Sequence, residues 1–255
     1  MTDLSATVSF DASTTADDWI DLVDCAMKYE QRGAVTTEGV FSHLSVAENA
    51  TRDAETNRQI RLFDAAVEAA RRVGLNPRTI HSANTAAARR RPDLHYDMVR
   101  IGIGTYGLSP LRQNERVPIK LRRALSMHAT LSAVKQLPAD HGVSYGARHI
   151  TSRPTLVGLV PVGYGDGLPR SADGIAVTIH GVTHPALGVI SMDQMVIGLS
   201  NDAGLSGAPM PGDEVTIIAL DGENTVDQWA TASSSSNYEI VTKLTRRPAR
   251  VYRSP

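Results

Sequence analysis

The chain has 255 residues, 42% hydrophobic and 21% charged, with a formal net charge of −1. This is ordinary globular composition, long enough for one large or two medium domains. It lacks the basic excess of a nucleic-acid-binding surface, and no apolar run approaches the roughly 20 residues of a membrane span.

The first ten or so residues carry little pattern. They hold no basic stretch ahead of an apolar block, so the expectation is a cytoplasmic protein without a signal peptide. A helix is predicted from near Thr15, which can cap it, with Asp17 and Asp18 at the positive end of its dipole. Trp19, Leu22, Val23 and Ala26 follow at helical spacing, and Gly33 ends it. Cys25, the one cysteine, falls among Val23, Ala26 and Met27 and reads as a structural thiol. A lone cysteine excludes an internal disulfide framework and fits a reduced compartment.

A strand-like run over Gly39–Leu44 comes next. A long helix is then predicted over Arg52–Val73, with Ile60, Phe63, Val67 and Ala70 on one face and Gly74 and Pro77 as stop signals. A second strand-like run covers Arg78–Ala83. A short helix over Thr85–Arg91 is stopped by Pro92, and Arg89-Arg90-Arg91 reads as its solvated end. A third strand is predicted over Met98–Ile103. Strands alternating with helices predict βα units and a parallel sheet.

After Pro110 the pattern changes. Met127, Ala129, Leu131 and Ala133 alternate with polar residues as in one half-buried strand. Leu156–Val162, Ile175–Ile179 and Val215–Ala219 read as further strands, with short helices near Val226–Thr231 and Tyr238–Leu244. The boundary between the α/β half and the mostly β half is put near residue 118. Ser233–Ser236 is a short polar loop, and no internal repeat is found.

Taken singly, the polar segments have plain readings. His43 reads as a core histidine at a strand end and Arg100 as an ion-pair partner. Pro161–Gly167 reads as a Gly-rich turn, with a phosphate loop as the alternative. Taken in order they form a series: Glu38–His43, His81–Ala86, Val99–Gly102, Tyr106–Pro110, Val143–Gly146, Gly163–Gly167, Ser191–Gln194 and Asn237–Glu239. From about Trp19 to Tyr252 this series resembles the alanine racemases. Tyr145 and Ser191–Gln194 favour a racemase over a related decarboxylase.

The resemblance implies an α/β plus β fold: a partial (β/α)8 barrel over 1–118 that binds pyridoxal 5'-phosphate (PLP), then a mostly β C-terminal domain over 119–255. It implies an isomerase interconverting L- and D-alanine, supplying D-alanine for the cell wall, in a homodimer with two shared sites. Tyr145 matches the tyrosine base donated across the dimer, with His43 and Arg100 lined up behind it. Arg100 also matches the arginine facing the PLP ring nitrogen. Thr85, the N–H groups of Gly102 and Ile103, and the Tyr238 hydroxyl match the phosphate ligands. Tyr164, Met192 and Asp193 match groups on the substrate-access side.

Some family features have no match. The lysine that carries the cofactor and serves as the second base ends an opening barrel strand; Lys28, Lys120, Lys135 and Lys243 all lie in other contexts. A second segment, which supplies an arginine for the substrate carboxylate, is matched at most by a remnant at Phe10–Ser13. Val189 stands where the family usually has arginine. About three βα units are recognised of eight, too few to close a barrel. The expectation is therefore an N-terminally truncated chain. The alternative to an active enzyme is an inactive product, or a partner that donates Tyr145 to a full-length racemase.

Overall fold

The computed structural model describes residues 16–111, 120–199 and 207–253. The expected Thr15 cap, the Phe10–Ser13 segment and the boundary at 118 lie outside these residues. The chain divides into two compact units, Met1–Arg122 and Arg123–Pro255.

Unit 1 is built on a parallel βαβ arrangement. Helix α1 (Ala16–Gln31) precedes β1 (Gly39–Phe41), α2 (Asp53–Arg72), β2 (Thr79–His81) and α3 (Thr85–Arg90). β1 and β2 pair in parallel, Gly39 opposite Thr79 and Phe41 opposite His81. The helical spacing on α2 turns Phe63, Val67 and Ala70 inward. Phe63 and Val67 pack on Val40 and Ile80 of the strands, with Trp19 of α1 against them. The Trp19 indole N–H donates to the Ala66 carbonyl at 2.9 Å, so α1 is pinned to α2 by a polar bond inside an apolar contact.

Three expectations for this unit need correction. Met98–Ile103 is not a strand. The Asp97 carboxylate takes the Ile80 N–H at 2.7 Å, which removes a ladder donor from β2. The segment then bonds through Arg100 N to Ala83 O and turns helical over Ile103–Tyr106. The arginine run is not a solvated helix end: Arg89 is buried, and only 10% of the Arg90 side chain is exposed. Arg90 donates to both Asp53 oxygens and to the Ala47 carbonyl, which ties α3 to the start of α2. Cys25 lies on the exposed side of α1, because Val23 rather than Cys25 faces Ala70 and Leu75.

Unit 2 holds one seven-stranded antiparallel sheet of β3 (Met127–Thr130), β4 (Ala133–Leu137), β7 (Thr155–Val160), β8 (Ala176–Ile179), β9 (Val182–Leu187), β10 (Met195–Gly198) and β11 (Glu214–Ile218). Their order in the sheet is β3-β11-β8-β9-β10-β7-β4. A hairpin of β5 (Gly142–Val143) and β6 (His149–Ile150) lies outside the sheet. The single strand expected over Met127–Ala133 is two. Leu131 N bonds Asp213 O and Ser132 N bonds Leu159 O, so the run leaves β11 and joins β7 within two residues. The two edge strands are therefore joined through only two residues, Leu131 and Ser132. Helices α4 (Val226–Ala232) and α5 (Asn237–Lys243) follow. Trp229 of α4 is fully buried, its indole N–H on the Ile217 carbonyl at 2.8 Å.

Candidate active site

Both strands of unit 1 end in a histidine segment, and Arg100 reaches both. Its Nη1 lies 2.6 Å from His81 Nδ1 and 3.3 Å from the His81 carbonyl. Its Nη2 donates to the Ser42 carbonyl at 2.7 Å and lies 3.5 Å from His43 Nδ1. The guanidinium sits over the Phe41 ring, and Phe41 stacks on the His81 imidazole. Desolvation first, and the Arg100 charge second, push both histidines below the usual 6.5. Desolvation also lowers Arg100 from its ordinary value, far above neutrality. His43 is exposed, which replaces its reading as a core histidine.

Thr85 opens α3, behind an Asn84 cap that accepts from Ala87 N and donates to the Leu44 carbonyl. The buried Thr85 hydroxyl receives the N–H groups of Gly102 at 3.1 Å and Gly104 at 3.4 Å. A Cβ on Gly102 would meet nothing within 4 Å, whereas one on Gly104 would strike Thr85 and Ile101. Open space thus lies against the main chain at Gly102, beside a hydroxyl and converging amides. The Thr85 oxygen takes both amides, which leaves its hydroxyl proton as the donor to an oxyanion there. Ile103, next in the chain, is buried. His43, Arg100, Thr85, Gly102 and Ile103 are all carried by unit 1.

Unit 2 carries the remaining expected residues. Tyr145 follows β5 and is 68% exposed. Tyr164 sits in the Gly163–Gly167 turn, which is not a phosphate loop. Its amides are engaged internally: Gly163 N bonds the Asp166 carboxylate, Tyr164 N the Ser191 carbonyl and Gly165 N the Met192 carbonyl. The turn is thereby bonded to the segment holding Met192 and Asp193. Arg247 completes this cluster, 2.8 Å from Asp193 and 3.4 Å from Asp166. Tyr238, on the first turn of α5, is exposed.

Two residues without an assigned role stand out. His81 orients Arg100, and its signal was available, since each of the two strand-like runs, Gly39–Leu44 and Arg78–Ala83, holds one histidine near its end. Arg247 holds Asp193; nothing near it in sequence points to that contact.

A parallel βαβ unit carries a cationic cluster beside the Thr85 hydroxyl, and an antiparallel β unit carries exposed tyrosines. Two family models match the chain in that order: the alanine racemase N-terminal domain over residues 14–110 and the alanine racemase C-terminal domain over 124–252. The chain belongs to the alanine racemase family. It is 40% identical to the alanine racemase of Thermobifida fusca over 238 residues, 92% of this chain and 62% of that protein. It is also 40% identical to that of Salinispora tropica, over 90% of this chain and 60% of that protein. The chain thus spans about 60% of the length of these relatives. Among solved structures, the alanine racemase of D-cycloserine-producing Streptomyces lavendulae matches with a TM-score of 0.87 and 36% identity, over 94% of this chain and 63% of that one. The Bartonella henselae alanine racemase, solved with covalently bound pyridoxal phosphate, matches at 0.80 and 25% identity, over 96% and 65%. Among the described residues no helix is long and apolar enough to cross a membrane.

Proposed function

We propose that the chain serves a PLP-dependent alanine racemase that interconverts L- and D-alanine, in a dimer whose sites are shared. The observation that carries this reading is the Arg100 guanidinium held between His81 and His43, two residues before the Gly102 cradle. The organisation is a cofactor-binding barrel portion over 1–118 and a β domain over 119–255. Such an enzyme works in the cytoplasm and supplies D-alanine for peptidoglycan.

The donor set fits PLP. The Thr85 hydroxyl, the amides of Gly102 and Ile103, and the Tyr238 hydroxyl would hold the phosphate. Bound PLP supplies an electron sink that acidifies the α-proton of an amino acid. Arg100 would face the ring nitrogen and, since a guanidinium gives up no proton, would leave the sink weak, which favours racemisation over side reactions. Tyr145 moves the proton at one face of the α-carbon. A phenol titrates near 10, so it needs positive charge close by; Arg100 is the group suited to supply it, with His43, kept neutral by desolvation and by the Arg100 charge, as its hydrogen-bonding neighbour. Tyr164, Met192 and Asp193 line the approach of the substrate.

A second reading is favoured by the lysines. Lys28 is exposed on α1, Lys120 and Lys135 are exposed, and Lys243 pairs with Glu239 at 3.1 Å. Neither Lys28 nor Lys120, the lysines of unit 1, bonds to Arg100 or Thr85. In this reading the chain donates Tyr145 to a full-length racemase and has no working site of its own.

Equilibrium dialysis of the full chain against PLP, with a racemisation assay, tests the main reading. Retention of PLP that weakens at least tenfold in Thr85→Ala supports it. No PLP retained, and no racemisation either alone or with a full-length racemase that lacks its own tyrosine base, would overturn it.

A further inference from the structure

The geometry points to Ser144 as a positioning residue that aims the Tyr145 phenol, through the hydrogen bond from its hydroxyl to the Val189 carbonyl. The inference rests on the reading of Tyr145 as a base.

Tyr145 makes no side-chain hydrogen bond among the described residues, and it is mostly exposed. Its direction must therefore come from its backbone. That backbone is unusual. Ser144 has φ 62 and ψ −175, a region used almost only by glycine. Gly146 at φ 71 and Ala147 at φ 44 are also left-handed. A glycine at 144 would adopt this conformation freely. A serine there bears strain, and what it adds over glycine is the hydroxyl. That hydroxyl donates to the Val189 carbonyl at 2.5 Å.

Both ends of this bond are rooted in one apolar cluster. Val143, just before Ser144, packs with Leu137, Val157 and Leu187, and Leu187 lies two residues before Val189. Between them Gly188, at φ 72, has no room for a side chain: a Cβ would lie 2.8 Å from the Val143 carbonyl oxygen and 2.9 Å from Ser144 Cβ. On the far side of the loop, a Cβ on Gly142 would come within 2.7 Å of Ala147 Cβ. The loop is closed from both sides, and the Ser144 hydroxyl is its polar latch. The segment that accepts this bond also accepts the Tyr164 and Gly165 amides, through Ser191 and Met192. Val189 thus lies on a segment that gives Tyr145 and Tyr164 one reference frame.

The test compares Ser144→Gly and Ser144→Ala in the full chain, labelled with 13Cζ-tyrosine. The chain has seven tyrosines, and the Tyr145 signal is assigned by its loss in Tyr145→Phe. Wild type is expected to give one sharp Tyr145 resonance. Both variants should shift it and broaden it severalfold, even though Ser144→Gly relieves the backbone strain and melts no lower than wild type. Unchanged position and width of the Tyr145 signal in Ser144→Gly would overturn the proposal. Should Ser144→Ala fail to fold, Ser144→Gly still decides, since glycine suits this φ. In a mixed dimer with a tyrosine-deficient racemase, Ser144→Gly should lower kcat and leave KM for alanine unchanged; an equal kcat would contradict the aiming role. The resonance needs no activity, so a failure of the racemase reading is seen separately from a failure of this one.

Discussion

Arg100 Nη1 lies 2.6 Å from His81 Nδ1, and a guanidinium can only donate. Nδ1 must therefore accept, which leaves the His81 proton on Nε2 and the ring neutral. Protonating His81 would set two cations face to face. An NMR titration of the full chain should give midpoints below 6.5 for both His81 and His43. Arg100→Met should raise both, yet short of 6.5, because burial is the larger cause. A midpoint at or above 6.5 in the wild type would contradict this account.

The same shifts predict how stability follows pH. A histidine pKa lowered in the folded state means that the unfolded chain binds more protons between the folded value and 6.5. Stability therefore rises with pH in that window. It is complete above 6.5 and lost as pH falls through the folded values. Urea melts of the full chain at about pH 7.5 and about pH 5.5 should show a lower midpoint at the acid end for unit 1. Replacing both histidines by glutamine should flatten the difference.

Arg90 should matter more than its neighbours on the surface. Its side chain is largely buried and serves Asp53 and the Ala47 carbonyl together. Arg90→Ala leaves both without their partner and should cost about 2 kcal/mol. Arg71→Ala removes an exposed pair with Glu68 and should stay within about 0.5 kcal/mol. Chemical denaturation measures both, and equal effects would refute the ranking.

Gly167 and Gly174 both have positive φ, at 109 and 66. A Cβ at 167 would lie 2.3 Å from the Lys243 carbonyl oxygen, while one at 174 would meet nothing within 4 Å. Gly167→Ala should therefore cost about 3 kcal/mol, strain and overpacking together. Gly174→Ala should cost about 1 kcal/mol, the conformational part alone. Thermal melts of the two variants separate these terms.

The elements were legible where one periodic face faces one core. The spacing of Phe63, Val67 and Ala70 located the buried side of α2, and Thr85 to Pro92 bracketed α3. Long-range polar contacts were not legible. Asp97 turns Met98–Ile103 away from a strand by capturing a main-chain donor, which no apolar pattern records. The three adjacent arginines read as a solvated end because the Asp53 and Ala47 partners of Arg90, and the Ser109 partner of Arg89, come from distant segments. The residues proposed for the site were readable as an ordered series of motifs, yet His81, Arg247 and Ser144 act through other residues. Their contacts exist only once the chain is folded.

The measurement that bears most directly on the account is complementation across the dimer. The chain is co-expressed with a full-length alanine racemase whose tyrosine base is replaced by phenylalanine, and conversion of L- to D-alanine is followed. The account predicts that the wild-type chain restores racemisation and that Tyr145→Phe does not, a difference of about 10² to 10⁴ for one acid–base group. No recovery with the wild-type chain, or equal recovery with Tyr145→Phe, would contradict it.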